Sequence, residues 1–123
     1  MRLVKKARKS HPMFKLLPIR LRPGGVNLDQ FLFESELSEA ELEEYGFQFE
    51  DVSDEIGPAR ACLICADKNR YFILQLRPKM PEVRLHVWGV TTVDIAEQID
   101  QFAAATGFKA EKISYRIDQR YVG

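Results

Sequence analysis

"VRLHVWGV", residues 83–90, alternates Val83, Leu85 and Val87 with Arg84, His86 and Trp88. Successive side chains of an extended chain point to opposite faces, so the stretch reads as a strand with two unlike sides. Its apolar side belongs to a core. Its cationic and aromatic side is either the second half of that core or a working surface, and the flanking sequence bears on which.

Downstream, "TTVDIAEQIDQFAAATG" (91–107) has the period of an amphipathic helix. Val93, Ala96, Ile99, Phe102 and Ala103 form its apolar stripe, with Asp94, Glu97, Gln98 and Gln101 facing out. Thr91 is the expected N-cap, with Asp94 three residues on, and Gly107 the left-handed stop. Upstream, "ARACLICA" (59–66) and "RYFILQLR" (70–77), separated by "DKN", make a β-hairpin. "PKMPE" (78–82) returns the chain into 83–90, while "FQFEDV" (47–52) and "FKAEKISYRI" (108–117) alternate as further strands. The order after residue 46 is therefore β-β-β-β-α-β. The expected fold is α+β: a mostly antiparallel sheet (a β-meander) with one main helix packed on one face. One helix of that size cannot cover both faces.

"LSEAELEEYG" (37–46) adds a short acidic helix. Ser38 and Glu41 have the spacing of a capping box, Leu37 and Leu42 that of a hydrophobic staple, and Gly46 ends the helix. Nearer the N-terminus, "FKLLPIRLR" (14–22) carries Pro18 and reads as an edge strand or an extended docking segment. "RPGG" (22–25) is a turn, and "NLDQFLFE" (27–34) fits strand or helix. Residues 1–12 read as a mobile, basic arm, and 13–123 as a single domain.

With 123 residues, 46% of them hydrophobic, the chain can bury its own core without metal or disulfide staples. No apolar run reaches the roughly 18 residues of a membrane span. Together with two cysteines and no secretory signal, this leads us to expect a small cytoplasmic protein with no membrane association.

The formal net charge of zero conceals segregation. Residues 1–25 hold eight bases and no acid, including Arg2, Lys5, Lys6, Arg8 and Lys9 of the arm. Residues 26–57 hold eleven acids and no base. Among these, Glu34, Glu36, Glu39, Glu43, Glu44, Glu50 and Asp51 are candidates for an acidic patch that meets a basic partner. The plainer expectation is that the basic arm folds back onto this acidic segment and the two largely neutralise each other. A second candidate surface is the side of the sheet bearing Tyr71, Arg77, Arg84, His86, Trp88 and Arg116. Such side chains stack bases, hold anionic ligands or receive protein partners. Residues 14–33 are also apolar and are the natural candidates to cover Trp88.

Motifs for chemistry are weak. "CLIC" (62–65) spaces its thiols three apart on a strand, hence on opposite faces, unsuited to a metal or a disulfide. His86 beside Asp94 or Asp118 could act as a base, but a strand histidine next to tryptophan more often packs. No nucleophile elbow, phosphate loop or zinc-protease motif occurs, and no cofactor or metal is expected. The favoured expectation is a non-enzymatic protein-binding module, resembling an inhibitor or immunity protein in its use of acidic charge, or a small subunit of a complex. A homodimer would use the same sheet face. Next stands nucleic-acid binding through the basic arm and the Arg/Trp face. An enzyme or small-ligand domain around His86 ranks third.

Overall fold

The computed structural model describes residues 13–53, 57–66, 70–77 and 84–118. Among these residues, seven strands form one sheet. They are β1 (Lys15–Leu17), β2 (Gln30–Ser35), β3 (Glu50–Ser53), β4 (Pro58–Ala66), β5 (Arg70–Leu76), β6 (Leu85–Gly89) and β7 (Ile113–Arg116). Every described pairing is antiparallel. With the helices α1 (Glu39–Glu43) and α2 (Ile95–Thr106), the fold is α+β, as the sequence pattern implies.

The meander runs β3-β4-β5-β6 between neighbours. Two features lie outside it. β1 and β3 share one edge of β4 end to end, β3 against Pro58–Ala61 and β1 against Leu63–Cys65. At the other side β2 is inserted between β6 and β7, so α2 connects two strands that run parallel across an intervening partner.

β2 shows why its sequence is ambiguous. Its pairing with β6 slips by one residue between Phe31 and Phe33. Such a bulge puts two consecutive residues on one side. Leu32 and Phe33 both enter the core beneath α2, while Phe31 and Glu34 both face away. Strict alternation is therefore broken where the core needs it broken.

Beneath α2, the apolar halves of β5 and β6 (Phe72, Leu74, Leu76, Leu85 and Val87) meet Ile99 and Phe102. The Phe102 ring lies 5.5 Å from Phe33, 5.3 Å from Phe72, 6.0 Å from Phe47 and 5.8 Å from Phe108. Phe14 and Tyr45 extend this aromatic cluster through Phe47. Thus α2 shares the work of covering its face with α1 and the segment after it.

Local signals hold at α1: Ser38 and Glu41 form the complete capping box, and Gly46 takes a positive φ of 101°. The Glu41 carboxyl is held below its usual pKa by the hydrogen bonds with Ser38, backbone first. At α2 two expectations are corrected. Asp94, not Thr91, is the N-cap, its carboxylate accepting from the Glu97 N–H at 3.0 Å. Gln98 faces inward and is fully buried, because its amide ties down the loop leading into the helix. Gly107 ends α2 with φ 82°.

Candidate binding surface

The face of the sheet away from α2 is organised by two cross-strand rows. Leu17, Leu63, Ile73, Trp88 and Phe31 stand opposite one another on β1, β4, β5, β6 and β2. Beside them run Glu50, Ala61, Gln75, His86, Glu34 and Tyr115, on β3, β4, β5, β6, β2 and β7. The first row is apolar and the second mostly polar.

One end of this face is covered. The Glu50 carboxylate accepts the Ile19 N–H at 2.8 Å, which directs the chain leaving β1 onto the same side as Ala61. Ala61, Leu63 and Leu28 are all buried yet lie outside the cluster beneath α2. The segment after β1 therefore acts as a strap over the β3–β4 end of this face. Phe14 and Phe33, by contrast, turn to the α2 side.

The other end, on β6, β2 and β7, carries the aromatic cluster. The Phe31 ring meets His86 edge-on at 5.6 Å and Trp88 at 5.5 Å, and stacks with Tyr115 at 6.3 Å. Glu34 ties the cluster together. Arg84 donates to one of its oxygens at 3.0 Å and the His86 Nε2 lies 3.1 Å from the other. Arg84 also reaches Glu36 at 3.6 Å. The Ser114 hydroxyl donates to the Glu34 backbone carbonyl at 3.1 Å. Trp88 is half-buried, and its indole N–H is buried without an acceptor among the described residues.

Of the sheet-face candidates, His86 and Trp88 share this face, as does Tyr71 by its register on β5, while Arg84 just before β6 reaches it through Glu34. Tyr71 stands opposite Cys65; lost hydration, then that thiol's charge and hydrogen bond, raise its pKa. Arg77 points its guanidinium at the carbonyls of Gly57 and Pro58, at 3.4 and 3.5 Å. Arg116 is corrected. A register shift between Glu34 and Ser35 places it opposite Phe33, on the α2 side, where it pairs with Asp118 at 2.8 and 3.0 Å. Tyr115 takes the place expected of it. Phe31 and Tyr115 join this face because of the two bulges, which strict alternation does not reveal; their aromatic character is the signal the sequence carries.

The acidic segment is not one surface. Glu34 and Glu36 pair with Arg84, while Glu39 and Asp51 pair with Arg60. Arg60 forks onto both oxygens of Glu39 at 2.8 Å, reaches Asp51 at 2.6 Å, and also donates to the Phe49 carbonyl. These hydrogen bonds raise its pKa further. Glu50 holds the strap. β2 and β3 are separated by β4, β5 and β6, about 19 Å at about 4.8 Å per strand. Glu43 and Glu44 on and after α1 remain exposed. Arg60 of β4 and Arg84 just before β6 thus neutralise part of this charge; the expected neutraliser, the basic arm, lies outside the described residues. The arm residues Arg2, Lys5, Lys6, Arg8 and Lys9 lie outside the described residues, as do 67–69 and 78–82, where the sequence leads one to expect turns.

Cys62 is buried beneath α2 and Cys65 faces the other side, both as free thiols. Burial pushes the Cys62 pKa up to about 11. Among the described residues, no three His, Cys, Asp or Glu side chains gather to hold a metal ion. No described helix is long and apolar enough to cross a membrane. Comparison with protein-family models, curated proteins and solved structures gives no match.

Proposed function

We propose that this protein is a non-enzymatic protein-binding module, and that its partner docks on the β6–β2–β7 end of the open face. The observation that carries this reading is the cluster of Phe31, His86, Trp88 and Tyr115 around Glu34, which pairs with Arg84 and contacts the His86 ring nitrogen. Aromatic side chains and arginine dominate the energetic centres of protein interfaces. Both Glu34 oxygens are engaged, so neither would be left unpaired when a partner covers the patch. Ser114 spends its hydroxyl on a backbone carbonyl rather than facing His86, which favours binding over nucleophilic chemistry. Glu36 at the rim, with Glu43 and Glu44 farther off, would steer a basic partner. Free thiols fit a reducing compartment, the cytoplasm.

Affinity capture at low salt with the full chain tests this. A protein retained by the wild type and by the Glu43→Lys, Glu44→Lys variant, but lost with Tyr115→Asp, supports the sheet face. Loss with the lysine variant alone moves the contact to the acidic helix. Retention of no partner overturns the reading unless light scattering shows that the partner is a second copy.

A second reading, single-stranded nucleic acid, draws on the exposed Lys15, Arg20 and Arg22 of β1 and the strap together with the aromatic cluster across the sheet. Gel-shift titration against salt decides it, and no shift at low ionic strength ends it.

A further inference from the structure

β1 and β3 lie end to end along one edge of β4, and among the described residues no strand pairs with their far side. Such an edge offers backbone N–H and C=O groups to any strand that can lie beside it. Its charges run in order. Lys15 stands opposite Cys65, Leu17 opposite Leu63 and Glu50 opposite Ala61. Two-residue steps along β4 keep all three on the open face, with Leu17 midway between the cation and the carboxylate. Four residues of β4 separate the two charges by about 13 Å along the edge.

Lys15 and Glu50 are both exposed, and neither makes an ion pair among the described residues. Leu16, next to Lys15 on the α2 side, keeps 37% of its surface in solvent. This order carries the segregation of the sequence onto one edge. β1 belongs to the block of eight bases and β3 to the block of eleven acids. A formal net charge of zero lets two copies approach without mutual repulsion. A two-fold axis perpendicular to a sheet sets an edge strand antiparallel to its own copy and keeps each face on its own side. Placed at Leu17, that axis brings Lys15 of each copy opposite Glu50 of the other, and Leu17 opposite Leu17. Moving it to Glu50 or to Lys15 sets like charges against each other.

We propose that this edge is a homodimer interface, in which β1 and β3 of two copies pair antiparallel about an axis at Leu17. The two seven-stranded sheets then join into one, with both aromatic clusters facing the same way at its far ends. This interface lies at the opposite edge from the docking face proposed above and does not depend on it. A seam of so few residues makes a weak dimer, with a dissociation constant on the order of 100 μM.

Sedimentation velocity on the full chain, between about 10 μM and about 1 mM, tests it. The wild type should shift from monomer to dimer with concentration, and less so at high salt. Lys15→Glu and Glu50→Lys should each weaken the dimer at least about tenfold, because each places like charges at both ends of the seam. Mixed in equal amounts, the two variants should pair with each other, since both contacts then join opposite charges again. If Glu50→Lys, which also loses the Ile19 hydrogen bond, fails to fold, Lys15→Glu decides alone. A wild type that stays monomeric up to about 1 mM, or a Lys15→Glu dimer as tight as wild type, would overturn the proposal. So would two folded variants that do not pair when mixed. A dimer lost with Tyr115→Asp but kept with Lys15→Glu would move self-association to the aromatic face and likewise overturn it.

Discussion

Gly89 and Gln98 exclude each other's growth: a Cβ on Gly89 would overlap the Gln98 side-chain oxygen and come within 3.0 Å of Leu32. The same oxygen accepts the Val90 N–H at 2.9 Å, and the Gln98 amide donates to the carbonyls of Val90 and Val93 at 2.9 and 3.0 Å. One buried side chain thus satisfies the turn between β6 and α2. Gly89→Ala is expected to cost about 1–3 kcal/mol by overpacking. Gln98→Leu should cost about 3 kcal/mol by orphaning buried backbone groups. In urea melts, Gly89→Ala combined with Gln98→Ala should cost less than the sum of the two single changes, because each relieves the other's clash. Strict additivity would refute the coupling.

Arg60 is the clamp for a helix too short to stand alone. Five residues of α1 cannot sustain themselves by hydrogen bonding. Arg60→Met keeps the aliphatic stem and removes the fork on Glu39 and Asp51, with an expected loss of about 1 kcal/mol, small because the partners are partly hydrated. The loss should shrink at high salt, and amide exchange should quicken in α1 before it does in β5. An equal loss at low and high salt would mean packing, not charge, is what Arg60 provides.

The two thiols should behave unlike each other. Cys62 is 1% exposed and Cys65 half-buried, so a thiol reagent added to folded protein should label Cys65 well before Cys62. Burial also makes Cys62 a source of alkaline instability. Its pKa is pushed up from 9.0 to about 11, so between those values the unfolded chain has released a proton that the folded chain keeps. Stability from this group is full below the unfolded value and falls as pH rises through the folded one, by about 2–3 kcal/mol. Cys62→Ala should flatten the pH 9 to 11 decline relative to wild type in urea melts; matching declines would contradict the assignment.

Trp88 tests the cost of its buried, unpartnered N–H. Trp88→Phe removes some apolar area but also an orphan donor that costs about 1–3 kcal/mol, so stability should stay within about 1 kcal/mol of wild type. Trp88→Ala should lose about 3 kcal/mol. A Phe variant as damaged as the Ala variant would show that the indole N–H is satisfied in solution.

Much of this arrangement is legible from local pattern. The phase of 83–90 correctly puts Leu85 and Val87 beneath α2 and His86 and Trp88 opposite. Ser38 and Glu41 announce α1 because a capping box is complete within four residues. What the pattern hides is set by distant parts of the chain. Arg116 and Tyr115 exchange sides because β7 slips by one residue against β2, which lies some eighty positions away. The acids of 34–51 read as a patch until Arg60 and Arg84 arrive from other strands. Gln98 reads as solvent-facing because its true partners, the loop groups at Val90 and Val93, precede the helix rather than belonging to it.

The insertion of β2 between β6 and β7 also dictates when the N-terminal third of the chain can settle. During synthesis, residues 30–35 emerge long before either flanking strand exists, and their bulged, phenylalanine-rich backbone has nowhere to bond. Ribosome-bound chains ending before residue 85 should therefore recruit holdase chaperones, and release from them should coincide with emergence of β6 and β7.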